Sequence, residues 1–486
     1  MKKQIIPAVA RRSRGAVFGR LFACLTITCL ALPAAALNLV AQPPDVRYTV
    51  ERESCGVPVS VYAARRALLL EQMRDSSAAF FFSADVRNRQ NDVDFEYRQS
   101  SDMLYLTGTN DPGMVLVLVK NGIAARADGD PVDELLFVGE QDPRDALWHG
   151  PTLGLEAAAA VSGVHTASLD VYGDFMQRLL AQVNTVYVSQ WPTTFIQNPL
   201  FLSRTYMENQ VRDYFDAKYP QVRLRSLRDE LNAMREIKEP EEVVLLRAAI
   251  DRTLEGFRQT LHRAEPGMWE YQLETVMESA FFMQGAQAVG YPSIVGSGPN
   301  ACILHYIDNR RQTKDGELVL MDCGAEYCGY TADITRTFPV NGVFSPEQRQ
   351  LYDLVIEAQD SVFALCRPGM PWSELFTTCR RVLGNGLLRL GVTRSFDEVS
   401  WYFPHGVSHR LGLDVHDVSS SSWLVPGFVF TVEPGIYVPQ GSPCDERWWN
   451  IGIRVEDNVL ITDDGVEILS ADLPRRADEI EALMRE

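Results

Sequence analysis

Two aspartates, Asp322 and Asp333, stand in an otherwise apolar, strand-forming stretch: Leu318-Val-Leu-Met-Asp-Cys-Gly-Ala-Glu-Tyr-Cys-Gly-Tyr-Thr-Ala-Asp-Ile-Thr-Arg-Thr-Phe338. Leu318 to Met321 favour a strand, Ile334 to Phe338 alternate branched, charged and aromatic residues, and Glu326 to Gly329 supply a turn. With the turn centred between Tyr327 and Cys328, Asp322 and Asp333 face each other directly, their Cβ atoms roughly 4.5–5.5 Å apart. Carboxylates that close repel unless a cation or a shared proton lies between them. A metal site is one reading; a surface hairpin with two solvated acids is the other.

Further ligand types decide between them. The run His405-Gly-Val-Ser-His409-Arg-Leu-Gly-Leu-Asp-Val-His416-Asp417 places three histidines close together, with Gly406 and Gly412 permitting tight turns. Glu433 ends the apolar strand Phe428 to Val432, and Glu456 lies within Ile451 to Ile461. Strand alternation puts Arg454 and Glu456 on one face, where inward charges require partners. Asp322, Asp333, His409, Glu433 and Glu456 together offer four carboxylates and one imidazole. That charge balances two divalent cations, and a metal pair about 3.5–4 Å apart can polarise a carbonyl and activate water. Oxygen-rich ligation favours Mn2+, with Zn2+, Co2+ and Fe2+ as alternatives.

The elements that must position these residues form two units. Residues 38–228 alternate strands with helices, the pattern of an α/β domain. The spacing predicts a helix over Tyr62 to Arg74 and strands over Ala78 to Phe82, Met103 to Thr107, Val115 to Lys120, Glu134 to Val138 and Thr185 to Ser189, with helix around Leu200 to Tyr214. No glycine-rich phosphate loop occurs there. Residues 229–486 open with Glu236-Ile-Lys-Glu-Pro240 and an apolar stripe from Val243 to Leu261. Helices at Trp269 to Gln284, Pro346 to Cys366 and Trp372 to Leu390, interspersed with hairpins and a strand-rich end from Val429 to Leu469, predict an α+β domain.

The net charge of -18 argues against nucleic acid or an anionic membrane surface as partner. Residues 1–36 carry only basic charges, then an apolar run from Leu21 to Leu37 and Ala34-Ala35-Ala36. They read as a secretory signal, giving a secreted or periplasmic protein with no membrane span once the leader is removed. A mitochondrial transit peptide and an uncleaved amino-terminal anchor are the alternatives. Beyond the leader, Cys55, Cys302, Cys323, Cys328, Cys366, Cys379 and Cys444 are scattered without C-x-x-C spacing, so buried free thiols are the expectation.

Five motifs follow one another in the second unit. They are Ser297-Gly298 through Cys302-Ile-Leu-His305-Tyr306, the aspartate hairpin continuing to Thr337-Phe-Pro-Val340, the histidine run, Thr431-Val-Glu-Pro-Gly-Ile-Tyr437, and Ile453-Arg-Val-Glu456-Asp457. In this order they resemble the creatinase/aminopeptidase P metallopeptidases of the "pita-bread" fold, and within them the Xaa-Pro aminopeptidases. The first unit is similar mainly through Tyr97-Arg-Gln-Ser-Ser-Asp-Met-Leu-Tyr-Leu-Thr-Gly108. The resemblance implies a creatinase-like α/β amino-terminal domain, a pita-bread catalytic domain, and the five ligands above. It implies a metal-bridging hydroxide that attacks the peptide bond before proline, in peptides with proline at the second position. Glu433 would shuttle the proton, His416 would bond the scissile carbonyl, His305 would line the pocket, and His405 would hold the proline side. Arg454 and Tyr437 would support the site, and the chain would form a homo-dimer or homo-tetramer. Prolidase, which cuts only Xaa-Pro dipeptides, is the nearer alternative; methionine aminopeptidase and a metal-free binding protein are the others. One departure is visible: Ser419-Ser-Ser-Ser422 leads directly to Trp423, where the family usually has a longer loop.

Overall fold

Six strands form one mixed sheet in the amino-terminal half of the chain. In spatial order they are Arg223–Arg225, Thr185–Val188, Ser77–Phe82, Met114–Ala124, Pro131–Val138 and Thr166–Ser168. Met114–Ala124 runs antiparallel to both its neighbours, and the remaining pairs are parallel. Alternation along the strands feeds two cores. Ala79, Phe81, Leu116 and Leu136 face the one that contains Leu69 and Val161, whereas Ala78, Phe80, Val117 and Phe137 face Phe175 and Leu179. The computed structural model describes residues 55–124, 131–140, 143–188, 195–197 and 204–486. The leader, the rest of the segment to residue 54, Ser189 and residues 200–203 lie outside the described residues. Among the described residues no helix is long and apolar enough to cross a membrane.

Two elements differ from the sequence expectation. Met103 to Thr107 is helical, within Ser101–Thr107, and ends on Gly108 at φ 70°. Six of its seven residues are buried, so the segment shows no polar face from which a helical period could be read. The later helix begins at Met207 and runs to Lys218, preceded by the short strand Arg204–Tyr206.

In the carboxy-terminal half, the helix Pro240–Arg263 starts with Pro240 in its first turn and a reciprocal cap between Glu239 and Glu242. It packs against Glu270–Met283, and Pro346–Phe363 packs against Trp372–Leu390. These helices cover antiparallel strand sets: Ile294–Ser297, Leu318–Cys323 and Ile334–Pro339 in one; Val429–Val432, Asp457–Thr462 and Gly465–Ile468 in a second; Gly435–Val438 with Ile451–Arg454 in a third.

The aspartate hairpin forms in a different register from the expected one. Asp322 pairs with Thr335 and Tyr327 with Tyr330, so the turn falls on Cys328 and Gly329. Both turn residues have positive φ, 53° and 80°, as a two-residue hairpin turn of matching twist requires. Asp322 and Asp333 are therefore diagonal neighbours on one face rather than directly opposed. Cys328 is also not a free thiol: it is disulfide-bonded to Cys55 across 273 residues of chain. Cys302, Cys323, Cys366, Cys379 and Cys444 are free, as expected.

Candidate metal centre

Glu433 and Glu456 emerge where two strand ladders break. Val429–Val432 pairs with Asp457–Thr462, and Gly435–Val438 pairs with Ile451–Arg454, so the ladders part at Glu433-Pro434 and Val455-Glu456. Proline lacks the N–H that would continue a ladder. The backbone N–H of Glu456 instead bonds the Thr335 carbonyl at 3.0 Å, and Thr335 is the cross-strand partner of Asp322. A single backbone bond thus ties the glutamate strands to the aspartate hairpin.

The side chains converge on a cavity of about 510 Å³ lined by Asp322, Asp333, His409, Glu433 and Glu456, with His305, His405, His416 and Arg454. His409 Nε2 lies 3.2 Å from Asp333 Oδ2, 3.6 Å from Glu433 Oε1 and 4.0 Å from Glu456 Oε1. Its Nδ1 is 3.0 Å from the Arg410 carbonyl, which can only accept, so Nδ1 carries the hydrogen and Nε2 is left facing the carboxylates. Asp333, His409 and Glu456 offer ligand atoms all within 4.8 Å of one another. Asp322 is held to one side by Arg454, at 2.6 Å.

Crowding of like charges shows in the titration behaviour. Burial raises the carboxyls of Glu433, Glu456 and Asp333, with neighbouring carboxylates adding to the shift; Glu433 reaches about 7 and Glu456 goes well above its usual value. Burial opposes charge on His409, yet Asp333 and Glu433 hold it up at about 9. The Tyr291 hydroxyl bridges Asp322 Oδ1 at 2.5 Å and Asp333 Oδ1 at 2.6 Å. A hydroxyl has one hydrogen to give, so the second contact needs a proton on a carboxyl. The oxygen-rich donor set fits hard divalent ions.

The flanking residues form a second layer. Arg454 Nη1 donates to the Tyr437 hydroxyl at 2.8 Å, and that hydroxyl lies 2.9 Å from His405 Nε2. His405 Nδ1 is 2.6 Å from the Gly406 carbonyl. Burial and the Arg454 charge lower His405 to about 4, so it is neutral and accepts from Tyr437. The His416 ring lies edge-on to His409, 4.2 Å between centroids. His305 and His416 are exposed at the cavity mouth.

Sequence reasoning missed several residues here. Tyr291 carries no motif and reaches the aspartates only through the fold. Asn458 grips the backbone of Asp333 on both sides, its Oδ1 accepting from Asp333 N at 3.1 Å and its Nδ2 donating to the Asp333 carbonyl. Thr335 Oγ1 donates to Glu456 Oε2 at 2.6 Å. Thr335 lies within the aspartate hairpin and Asn458 directly follows the Glu456 motif, but their contacts span 121 and 125 residues of sequence.

A strand assembly that gathers four carboxylates and an imidazole around one cavity defines a metallohydrolase of the pita-bread class. The model of metallopeptidase family M24 matches residues 244–463, and that of the aminopeptidase P amino-terminal domain matches residues 62–187. The chain is 38% identical to the Xaa-Pro aminopeptidase of Escherichia coli K12, over 87% of this chain and 97% of that one. It is 33% identical to the mitochondrial intermediate cleaving peptidase 55 of Arabidopsis thaliana, over 88% and 83%. The solved structure of Pseudomonas aeruginosa aminopeptidase PepP superposes with a TM-score of 0.79 at 36% identity, covering 88% of this chain and 98% of that one. The chain belongs to metallopeptidase family M24, in the branch that carries the aminopeptidase P amino-terminal domain.

Proposed function

We propose that this chain is a dinuclear-metal aminopeptidase that hydrolyses the amino-terminal Xaa-Pro bond of peptides. The observation that carries the reading is the convergence of Asp322, Asp333, His409, Glu433 and Glu456 on one cavity. These five residues would hold two divalent ions, Mn2+ by the hardness of the donors. Bound there, the ions supply Lewis-acid polarisation of the carbonyl and water activation at neutral pH.

The chain's own residues supply the remaining steps. Glu433 stands at the cavity wall, placed to take a proton from the nucleophile and pass it to the departing proline nitrogen. His416, at the mouth beside His409, donates to the scissile carbonyl, and His305 lines the same cavity. Neutral His405, fixed by Tyr437 and Gly406, packs with Phe403 at 5.0 Å between rings and offers an apolar wall to the proline ring. Arg454 stabilises the Asp322 carboxylate and orients Tyr437.

Identity at this level over nearly the whole length of the Escherichia coli relative favours the aminopeptidase over prolidase. The test is to supply Gly-Pro and Arg-Pro-Pro side by side with Mn2+ and to identify the products. Release of arginine from Arg-Pro-Pro supports the proposal; cleavage of Gly-Pro alone makes the chain a dipeptidase. We further propose a domain boundary at residues 228–229, a homo-dimer or homo-tetramer in solution, and export directed by residues 1–36. A mitochondrial destination is the second reading of that leader, favoured by the mitochondrial relative.

A further inference from the structure

The segment Tyr97 to Gly108 lies in the amino-terminal half, and the chemistry above makes no use of it. Its Asp102 is 5% exposed and sits against Arg235, itself 2% exposed, at the end of the helix Arg228–Glu236. Arg235 Nη1 donates to Asp102 Oδ1 at 2.8 Å. Its Nη2 donates to Asp414 Oδ2 and to Asp417 Oδ1, both at 2.7 Å. Lys238 Nζ takes the other oxygen of Asp417 at 2.8 Å, and Ser101 Oγ donates to Asp414 Oδ1 at 2.7 Å. Asp414 and Asp417 flank His416 in a loop that has neither helix nor strand.

We propose that Arg235 is a positioning residue that aims His416 at the substrate, and that Asp102 of the amino-terminal half holds Arg235 for that task. The proposal rests on the role assigned to His416. An irregular loop has no ladder of its own to fix a side chain near its middle, so its direction depends on what grips it. Here one planar guanidinium bonds the aspartates on both sides of His416, and its third carboxylate partner comes from the other half of the chain. A guanidinium can span three carboxylates in a fixed fork, whereas an ammonium is a point charge on a flexible stem. The next residue secures the far end of the same loop. Glu236 accepts from the backbone of Ser420 and Ser421 at 3.0 Å each, and from Arg410 Nε at 2.7 Å. The helix end at Arg235 and Glu236 thus holds the loop both before the serine run, at Asp414 and Asp417, and within it, at Ser420 and Ser421.

The experiment is a double-mutant cycle. Arg235→Lys and Asp102→Asn are each made alone and in combination with His416→Ala, and kcat and KM are measured on Arg-Pro-Pro with Mn2+. Each change is expected to lower kcat/KM about tenfold or more when His416 is present, because misplacing a reacting group by about 1 Å can cost about 100-fold. In the His416→Ala background the same change is expected to cost less than about twofold. Amide hydrogen exchange should rise in peptides covering residues 413–417 and stay at the parent level across residues 318–338. Equal losses in both backgrounds, or parent-like kcat/KM from folded Arg235→Lys and Asp102→Asn, would overturn the proposal. If Arg235→Lys does not fold, Asp102→Asn, which leaves Arg235 two aspartates, decides by the same comparison. Parent-like turnover from His416→Ala alone would refute the assignment of His416, a result distinct from equal losses and equally fatal to the proposal.

Discussion

Replacing Arg336 by methionine tests whether a buried ion pair beneath the metal centre holds Glu456 in place. Arg336 is fully buried, and its Nη2 pairs with Asp457 Oδ1 at 2.7 Å. It also donates to the carbonyls of Glu456 at 2.7 Å, Pro474 at 2.9 Å, Thr335 at 3.0 Å and Leu473 at 3.2 Å. Methionine fills much of the volume but leaves Asp457 charged and without its cation. Ser470 at 2.6 Å and Gln359 at 3.0 Å remain as donors, which stabilise the carboxylate only in part. Removing one partner of a buried pair costs about 3–5 kcal/mol. Against a total stability of about 5–15 kcal/mol this is a large fraction, and it corresponds to a fall in Tm of about 3–5 °C for a chain of this size. The Glu456 carbonyl loses its donor at the same time, so Mn2+ affinity should drop about 10- to 100-fold, as is usual when a ligand's supporting contact is removed. The assays are thermal unfolding of the metal-free protein and Mn2+ titration. The double variant Arg336→Met/Asp457→Leu removes the stranded charge and should regain at least half of the lost stability. A single variant within about 1 kcal/mol of the parent, with unchanged Mn2+ affinity, would refute the reasoning.

Three further outcomes follow from the site and the tether. Asp333→Ala and Glu433→Ala should each abolish hydrolysis while the circular dichroism spectrum and fold are kept; near-parent turnover from either purified variant contradicts the mechanism. Glu433, raised to about 7, and His409, raised to about 9, both favour their protonated forms in the folded, metal-free chain. Their stabilising contribution is complete below their unfolded values of about 4.3 and 6.5 and fades as pH rises through the folded ones. Metal-free protein should therefore lose stability from about pH 5 to pH 9, and Mn2+ should raise Tm more at pH 8.5 than at pH 6; equal shifts at both pH values would count against this. Reducing the Cys55–Cys328 bridge frees a 273-residue loop. It should cost about 2–4 kcal/mol, read as a lower Tm in dithiothreitol that Cys55→Ser protein does not show.

The candidate ligands could be read from the sequence because each of the five sits in a short local pattern, an acid interrupting an apolar strand or histidines spaced by glycine, and the fold brings all five to one cavity. What those patterns could not carry was register and partnership. The hairpin is displaced by one pair because the turn is closed by Cys328 and Gly329, and a cysteine at positive φ leaves no mark in composition. Gly329 has a further reason that only the fold reveals, since a Cβ there would lie 2.3 Å from Leu104 Cδ2. The helix Ser101–Thr107 was hidden because nearly every side is buried, which erases the period that distinguishes helix from strand. Scattered cysteines do not announce their pairing, so the Cys55–Cys328 bridge was not readable. Tyr291 and Arg235 escaped for a common reason: each acts on residues brought near only by the tertiary fold.

The central claim is that five side chains bind two divalent ions and that hydrolysis depends on them. Its most direct test strips the protein with a chelator, returns Mn2+ in steps, and follows bound metal and arginine release from Arg-Pro-Pro together. The stripped protein should not cleave the peptide, and activity should rise to saturation at two ions per chain. Undiminished cleavage without metal, or two bound ions with no cleavage of any Xaa-Pro peptide, would contradict it.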